Sequence, residues 1–502
     1  MNMLVAEAGF AASRIAAAAA LVALGGCAVG PDFKPPEAPQ ADRYTIDALP
    51  AQTASTDIAG GEAQTWRPGA AIPAQWWQLY GSDLIRRRIE QAFAHSPSVT
   101  AAQAALRQAQ ENLRAAAGSY YPSVDGSGSV TREKINAATV TPGASGDYLY
   151  DVYGASVDVS YTLDLFGGVR RSVEAQAAQA EYQRFQLEAT YLTLASNVVT
   201  ATVQEASLQA QVTVTEDIIK ALDEQQRITE KQYELGGVAL TDVLSARTQL
   251  EEIRSTIPAL RQQLVQTRSQ LAVYLGRLPA EQEAATFDLA QLKLPQDVPL
   301  SLPSQLARQR PDVRAAEAQL HAASANVGVA TANLFPSLTI SGSYGSAAAR
   351  DADLFKSASE VWTLAAGLSA PIFHGGELRA RKRAAVAAYD EAFADYQQTV
   401  LQAFANVADS LHAIDNDAQA LQSRYAALQS AEKNLDLVQR SYRAGAVGYL
   451  NVLVAQQQDQ QARINFINAQ AARYLDTAAL FQALGGGWWN RDAQNTTASA
   501  AP

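Results

Sequence analysis

The sequence has few of the residues that many catalytic and metal-binding functions require. It contains one cysteine, Cys27, with two methionines and four histidines among 502 residues. One thiol excludes an intramolecular disulfide, and this shortage of soft ligands argues against a soft-metal site. The histidines form no H-x-x-H or H-E-x-x-H pattern, and "GGG" at 485–487 lacks the Lys-Ser/Thr of a phosphate loop. We therefore predict no enzymatic activity, no metal and no bound cofactor.

Positive charge is also scarce. The 39 Lys and Arg residues are outnumbered by 50 Asp and Glu residues, and the formal net charge is −11. An acidic chain repels the phosphate backbone, so we predict no nucleic-acid partner. No run of 18 apolar residues follows Cys27, and the sequence therefore predicts no transmembrane helix.

The residues before Cys27 are typical of a secretory signal. Arg14 precedes a short apolar run at 15–24, which is followed by Leu24-Gly25-Gly26-Cys27. This ending resembles the lipobox of bacterial lipoproteins, whose cysteine is acylated, so we expect residues 1–26 to be removed and Cys27 to carry a lipid. Ala28 stands where an Asp would signal inner-membrane retention, which favours the outer membrane. The alternative is an alanine-rich first helix of a cytosolic protein.

Internal repetition is the most informative pattern in the sequence. The segment 96–124 resembles 310–338 at an offset of 214, "LFGGVRR" resembles "FHGGELR" at 208, and "YELGGVALTDVL" resembles "YRAGAVGYLNVL" at 209. Two long repeats predict pseudo-symmetry around an axis. The predicted regions are a signal at 1–26, an N-terminal segment at 27–75, repeats at 76–280 and 304–489, a linker at 281–303 and a disordered tail at 490–502.

Each repeat contains two segments in which apolar and polar residues alternate. Strands are predicted at about 122–133, 150–166, 337–346 and 361–373. Strands of about ten residues with one apolar and one polar face are typical of outer-membrane barrels, although a soluble β-sandwich with one solvated face has the same pattern. In the barrel interpretation, the predicted lumen-lining residues are Ser156, Asp158, Ser160, Asp164, Thr339 and Ser341. Acidic lining residues would favour cations.

Four strands per chain cannot close a barrel. Hydrocarbon does not tolerate open sheet edges, and the smallest membrane barrels have about eight strands. Two copies would give eight strands around a filled interior, whereas three copies would give twelve strands with the beginning of a lumen. The strand count therefore predicts an oligomer, and a trimer suits a channel better than a dimer.

Two segments predict helices far longer than those of ordinary globular domains. No Gly or Pro occurs at 169–235 or at 377–444, and the apolar residues of the second segment recur mostly at alternating steps of four and three, as in a coiled coil. Glycine-bearing turns, "ELGGVAL" and "RAGAVGY", then precede the return helices. We predict helical hairpins over 169–276 and 377–484, with a kink at Pro258.

Several motifs together resemble the outer membrane factors of tripartite efflux systems, the TolC and OprM type, in the lipoprotein branch often called the NodT family. The resemblance covers roughly residues 27–490, and its motifs are "CAVGPDFKPP", "WWQLYGSDL", "YTLDLFGGVRR", "QRPDVRAAEAQL", "LFPSL", "PIFHGG" and "LGGGWW". It implies an α+β membrane protein that forms a homotrimer, with a 12-stranded outer-membrane β-barrel and a periplasmic α-barrel. It also implies two partners, a periplasmic adaptor and an inner-membrane pump.

The family resemblance also identifies candidate gate residues. A leucine in the second return helix and an acid one turn later narrow the periplasmic mouth in the family, and these positions match Leu450 and Val454. The carboxylate is therefore missing, and we expect an apolar constriction that gates by dewetting. Seam packing of Leu450, or charged rings from Asp242 or Asp459, are the alternatives. The predicted adaptor-docking residues at the hairpin tips are Gly236, Gly237, Val238, Thr241, Gly445, Val447 and Gly448.

Three functions fit the sequence. The first is the outer-membrane exit channel of an efflux system, a passive conduit that exports small toxic compounds. The second is the outlet of a type I protein secretion system, which would share the architecture but export a polypeptide. The third is a coiled-coil lipoprotein that tethers the envelope and has no lumen. The lipobox and the family motifs favour the first.

Overall fold

The computed structural model describes residues 28–136, 146–281 and 287–491. Cys27 and residues 492–502, for which the sequence predicts a lipid and a disordered tail, lie outside the described residues. Among the residues that the structure describes, no helix combines the length and the apolar character that crossing a membrane would require. The α-helices are α1 (Asp83–His95), α2 (Pro97–Ala117), α3 (Gly168–Glu234), α4 (Leu240–Tyr274), α5 (Pro303–Gln309), α6 (Pro311–Ala332), α7 (Glu377–Arg443) and α8 (Tyr449–Ala483).

The long helices of the two repeats have equal lengths. Helices α3 and α7 contain 67 residues each, and α4 and α8 contain 35 residues each. Both ends of α7 and α8 lie 209 positions after the matching ends of α3 and α4. Helix α4 continues through Pro258, so the missing N–H of this proline does not end the helix. The repetition in the sequence is therefore a repetition of secondary structure.

Glycines end the long helices in the same way in both repeats. Gly236 and Gly445 have φ angles of +77° and +73°, a left-handed conformation in which a Cβ atom would be strained. The N–H of Gly237 donates to the carbonyl of Gln232 at 2.7 Å, and the N–H of Ala446 donates to that of Ser441 at 2.9 Å. These bonds are the Schellman motif, which satisfies the last carbonyls of a helix.

Four long strands form one antiparallel sheet. They are β2 (Ser123–Asn136), β3 (Asp147–Leu163), β5 (Ser337–Ala348) and β6 (Glu360–Ser369), in the order β2-β3-β5-β6. Their positions agree with the four predicted strands except at some ends. Strand β6 ends at Ser369 rather than at 373, because Pro371 follows and has no N–H to donate to a sheet ladder.

A second sheet was not predicted from the sequence. Strands β1 (Thr65–Pro68) and β4 (Asp297–Leu300) pair in parallel, and Arg67 Nε lies 2.7 Å from Asp297 Oδ1. Strand β1 belongs to the predicted N-terminal segment and β4 to the predicted linker at 281–303. The linker is therefore partly ordered by a contact more than 200 residues away in sequence, which local patterns do not reveal.

The described residues form two compact units that differ from the two repeats. One unit lies within 1–35, 107–182 and 316–396, and the other lies within 36–106, 183–315 and 397–502. Each unit therefore contains parts of both repeats. The second unit has an aromatic core in which Trp76 stacks on Phe481, with ring centroids 5.2 Å apart, and Tyr80 Oη donates to the carbonyl of Tyr474 at 2.9 Å.

Two carboxylates meet between α7 and α8 in the second unit. Burial, and secondly a hydrogen bond with Asp476, raise the pKa of Asp417 to about 7, while Arg473 opposes the shift. The guanidinium of Arg473 is itself buried and donates to the carbonyls of Ile414 and Glu62. Asp417 therefore keeps its proton in the folded chain at pH values where the unfolded chain has lost it.

This pair predicts that stability depends on pH. Between pH 4 and 7, approximately, the native state binds one more proton than the unfolded state, so the free energy of unfolding falls as the pH rises through this window. We expect Asp417→Asn to raise the melting temperature at pH 8 and to change it little at pH 5. Asp409→Asn, an exposed position on the same helix, is the control. An equal stabilisation by Asp417→Asn at both pH values would contradict the prediction.

Candidate functional site

The four-stranded sheet carries its polar side chains on one face. Directly opposed residues of neighbouring strands share a face, and the register pairs Ser127 with Ser156 and Thr162 with Thr339. The Ser127 and Ser156 hydroxyls lie 2.7 Å apart, Ser156 donates to Asp158 Oδ2 at 2.8 Å, and the Thr162 and Thr339 hydroxyls lie 3.0 Å apart. The same register places on this face Ser123, Asp125, Ser160, Ser341 and Ser343.

The opposite face of the sheet is apolar and exposed in the single chain. Trp362, Leu364 and Leu368 of β6 are 72%, 73% and 70% exposed. Val157 of β3 and Tyr344 of β5 are also exposed on this face. An isolated soluble sheet would bury such a face, whereas lipid would cover it. The polar face then remains for water. The predicted lumen-lining residues on this face are Ser156, Asp158, Ser160, Thr339 and Ser341. Their role in lining a lumen stays a prediction.

Asp164 does not belong to this polar face. Strand β3 ends at Leu163, and the Asp164 carboxylate accepts the backbone N–H groups of Val169 and Arg170 at 3.1 and 2.9 Å. It therefore satisfies free donors at the start of α3, as a helix-capping carboxylate does. The alternating pattern of the strand continues into this cap, which is why the sequence places Asp164 in the lumen; the structure gives it a capping role instead.

The sheet has two unpaired edges. Within the described sheet, β2 pairs only with β3 and β6 pairs only with β5. Unpaired N–H and C=O groups at such an edge accept another strand and cannot face hydrocarbon. The structure therefore shows the open sheet on which the predicted oligomerisation depends.

The predicted docking residues lie at two equivalent hairpin turns. Gly236, Gly237, Thr241, Gly445 and Gly448 are exposed, and Val238 and Val447 are half-buried. Leu235, next to the first turn, is 82% exposed. Both turns therefore present accessible backbone and small side chains. Docking at these turns is not tested by the described chain and stays a prediction.

The two predicted gate residues form an exposed apolar stripe at the start of α8. Leu450 is 70% exposed and Val454, one turn later, is 46% exposed. The neighbouring Tyr449, Val452 and Leu453 are buried, so they form the helix seam. The single chain therefore does not support seam packing as the role of Leu450, and the stripe is free to meet other copies or the conduit.

The alternative charged gate residues have different surroundings. Asp459 is buried, and its Oδ2 accepts from Arg463 Nε at 2.9 Å. A buried, paired carboxylate does not form an exposed charged ring, so the structure does not support this role for Asp459. Asp242 lies in the first turn of α4, where an acid stabilises the helix dipole.

Two tyrosines that the sequence alone does not single out pack at the second hairpin turn. The rings of Tyr442 and Tyr449 lie 5.6 Å apart, on either side of the turn. Tyr449 packs in a cluster with Ala246, Val452 and Leu453, and burial raises the pKa of its hydroxyl to about 12. The sequence does contain one sign of this difference between the two turns, because the position 209 residues before Tyr449 is a leucine. These contacts join the start of α8 to α4 and position Leu450.

The residues after Cys27 are fixed at the beginning of α3. The N–H of Val29 donates to the carbonyl of Phe166 at 3.0 Å, and Arg171, which is buried, binds Asp32 Oδ1 at 2.6 Å. At Gly167 a Cβ atom would lie 2.6 Å from Ala28 Cα, so only glycine allows this approach. Ala28 therefore lies beside the junction of β3 and α3.

These features together define a class: a chain with one open, two-faced sheet of four strands and two long helical hairpins, as an outer-membrane channel subunit requires. The chain belongs to the outer membrane efflux protein family, whose model matches residues 88–277 and 302–486. The predicted family, the fold class and the outer-membrane location are thereby confirmed. The family is one of efflux channels.

Individual relatives agree with this assignment. The chain is 32% identical over 440 residues, 86% of this chain and 92% of the relative, to the pyoverdine export outer membrane protein OpmQ of Pseudomonas putida. It is 31% identical to the probable efflux pump outer membrane protein TtgC of the same species, over 94% of this chain and 95% of the relative. The solved outer-membrane channel OprN is similar with a TM-score of 0.82 and 27% identity, covering 92% of this chain and 100% of OprN.

Proposed function

We propose that three copies of the chain form a passive conduit that carries small toxic compounds out of a tripartite efflux system. The observation that carries this proposal is the four-stranded sheet with one polar face, one exposed apolar face and two unpaired edges. Three sheets joined edge to edge would supply twelve strands, which is enough to surround a water-filled lumen. The polar serines, threonines and Asp158 would line that lumen.

The remaining parts of the proposal concern the anchor and the partners. A lipid on Cys27 would hold each chain in the outer membrane, supported by the attachment of residues 28–32 beside Gly167. The hairpin turns would meet a periplasmic adaptor, which connects the conduit to an inner-membrane pump. The relatives named for pyoverdine export and for an efflux pump support small molecules as the cargo. The chain itself would act without a cofactor, since it only provides a passage.

The conduit is tested by conductance in planar lipid bilayers. We expect the purified mature chain to insert and to give stepwise ion currents, with cations favoured because the polar face carries Asp125 and Asp158. The paired variant Asp125→Asn/Asp158→Asn should reduce this preference and leave insertion unchanged. Absence of any current from correctly folded protein would support an envelope tether instead of a conduit.

The docking turns are tested by site-specific crosslinking in intact cells. Cys27 is the only native cysteine, so a new cysteine at Thr241 provides a single thiol for a short crosslinker once Cys27 carries its lipid. We expect Thr241→Cys to crosslink to the adaptor in most of the molecules that assemble. Thr213→Cys, an exposed position within α3, is the control. Equal crosslinking at both positions would contradict docking at the turns.

A further inference from the structure

Two sequence motifs that the conduit does not use come together in the second unit. Trp76 and Trp77 belong to "WWQLYGSDL", and Gly485, Gly486 and Trp488 belong to "LGGGWW". They line one cavity of about 340 Å³, a volume within the range of small-molecule sites. The cavity is therefore built from residues more than 400 positions apart in sequence.

Two glycines of the second motif, Gly485 and Gly486, line this cavity, and Gly487 follows them. Gly485, Gly486 and Gly487 all have left-handed φ angles, of +89°, +67° and +70°. A Cβ atom on Gly487 would lie 2.4 Å from the carbonyl oxygen of Ile72, and one on Gly486 would lie 2.3 Å from Leu192 Cδ1. Three adjacent side chains are thus excluded, which lets the backbone of this turn pack closely against Ile72 and Leu192.

Aromatic rings form the walls of the cavity. Trp77 meets Phe93 edge-on at 5.7 Å between centroids, and Phe93 meets Tyr191 at 5.0 Å in the same manner. Trp76 is held by its stack on Phe481. Interlocked rings lose little conformational freedom when a ligand binds, so the walls are preformed.

A guanidinium of the chain itself occupies the mouth. The Cζ atom of Arg491 lies 5.7 Å from the centre of the Tyr191 ring. Its Nη2 atom lies 2.7 Å from Glu188 Oε2 and its Nη1 lies 3.3 Å from Oε1. The Glu188 side chain is only 16% exposed. A flat cation between an aromatic face and a half-buried carboxylate is the arrangement by which proteins recognise planar cations.

We propose that this aromatic cavity binds small planar organic cations, with their charge at Glu188 in the place that the Arg491 guanidinium now occupies. With Glu90, Glu188 and Arg491 as its charged lining residues, the cavity has a net charge of −1, which becomes more negative when Arg491 leaves. A ligand ring would lie beside the partly exposed rings of Phe93 and Tyr191. Arg491, whose side chain is half-exposed, would move aside into water.

The test uses the full-length protein in detergent and two probes of the same shape. Proflavine is a planar cation at pH 7.5, whereas acridine has the same three rings and is uncharged there. Binding is followed by the fluorescence anisotropy of each dye. We expect proflavine to bind more tightly than acridine, and Glu188→Gln to weaken proflavine binding about tenfold, because a charge-assisted contact is lost. Arg491→Gln should tighten it, because the competing guanidinium is absent.

A matched control separates the cavity from general acidity. Glu111 also pairs with an arginine, Arg114, on an exposed helix surface, and Glu111→Gln should leave proflavine binding unchanged. The proposal is overturned if Glu188→Gln binds proflavine as tightly as the native chain, or if acridine binds equally well. If Asp158→Asn loses proflavine binding and Glu188→Gln keeps it, the dye binds at the polar face of the sheet. That result also overturns the proposal.

Discussion

Replacing Leu450 with serine is expected to raise the single-channel conductance about twofold to fivefold, because a hydroxyl wets an apolar constriction. Leu450 is 70% exposed at the start of α8, and Val454 continues the same stripe one turn later. Three copies would bring three such stripes to one level of the conduit. An apolar ring of this kind hinders the passage of ions by excluding water, without needing a charge.

The double variant Leu450→Ser/Val454→Ser should conduct more than either single variant, since both side chains belong to one stripe. Leu401→Ser is the matched control, because Leu401 is also exposed, at 66%, but lies within α7 and far along the chain from the turn. Unchanged conductance in Leu450→Ser, measured in bilayers of the same lipid, would remove Leu450 from the gate.

Replacing Leu364 with arginine is expected to abolish insertion into the outer membrane. Leu364 is 73% exposed on the apolar face of β6, in the middle of the strand. An arginine facing lipid near the bilayer centre costs about 2–4 kcal/mol on a barrel strand, and a trimer would contain it three times. We expect the variant to be missing from the membrane fraction and to accumulate unfolded or degraded.

The adjacent residue provides a strict control. Thr363 pairs with Ser343 and therefore points to the polar face, so Thr363→Arg should insert normally and lower the preference for cations. The two variants add the same side chain to neighbouring positions of one strand. If both variants fail to insert, or if both insert normally, the assignment of one face to lipid and the other to water is contradicted.

The sequence predicted those elements whose signal is local and periodic. The long helices were evident because 169–235 and 377–444 contain no Gly or Pro, and α3 and α7 begin and end within one residue of those limits. The strands were evident because alternation over ten or more residues separates two faces. The glycine turns were evident because only glycine tolerates the left-handed conformations at Gly236 and Gly445.

The features that the sequence did not reveal depend on contacts between distant residues. The short strands β1 and β4 have four residues each, too few for a periodic signal. Asp164 continued the alternation of β3 by coincidence and proved to cap α3. No local pattern in the sequence indicates that Asp459 is buried beside Arg463. The aromatic cavity needed both "WWQLYGSDL" and "LGGGWW", whose meeting only the fold could show.

The central claim is that identical chains share one barrel, and the most direct measurement is the native mass of the lipid-modified protein extracted in mild detergent. Native mass spectrometry should give a particle with three times the mass of one mature chain, and removing the detergent should cause precipitation because the apolar face of the sheet is uncovered. A particle with the mass of one chain that stays in solution without detergent would contradict the account.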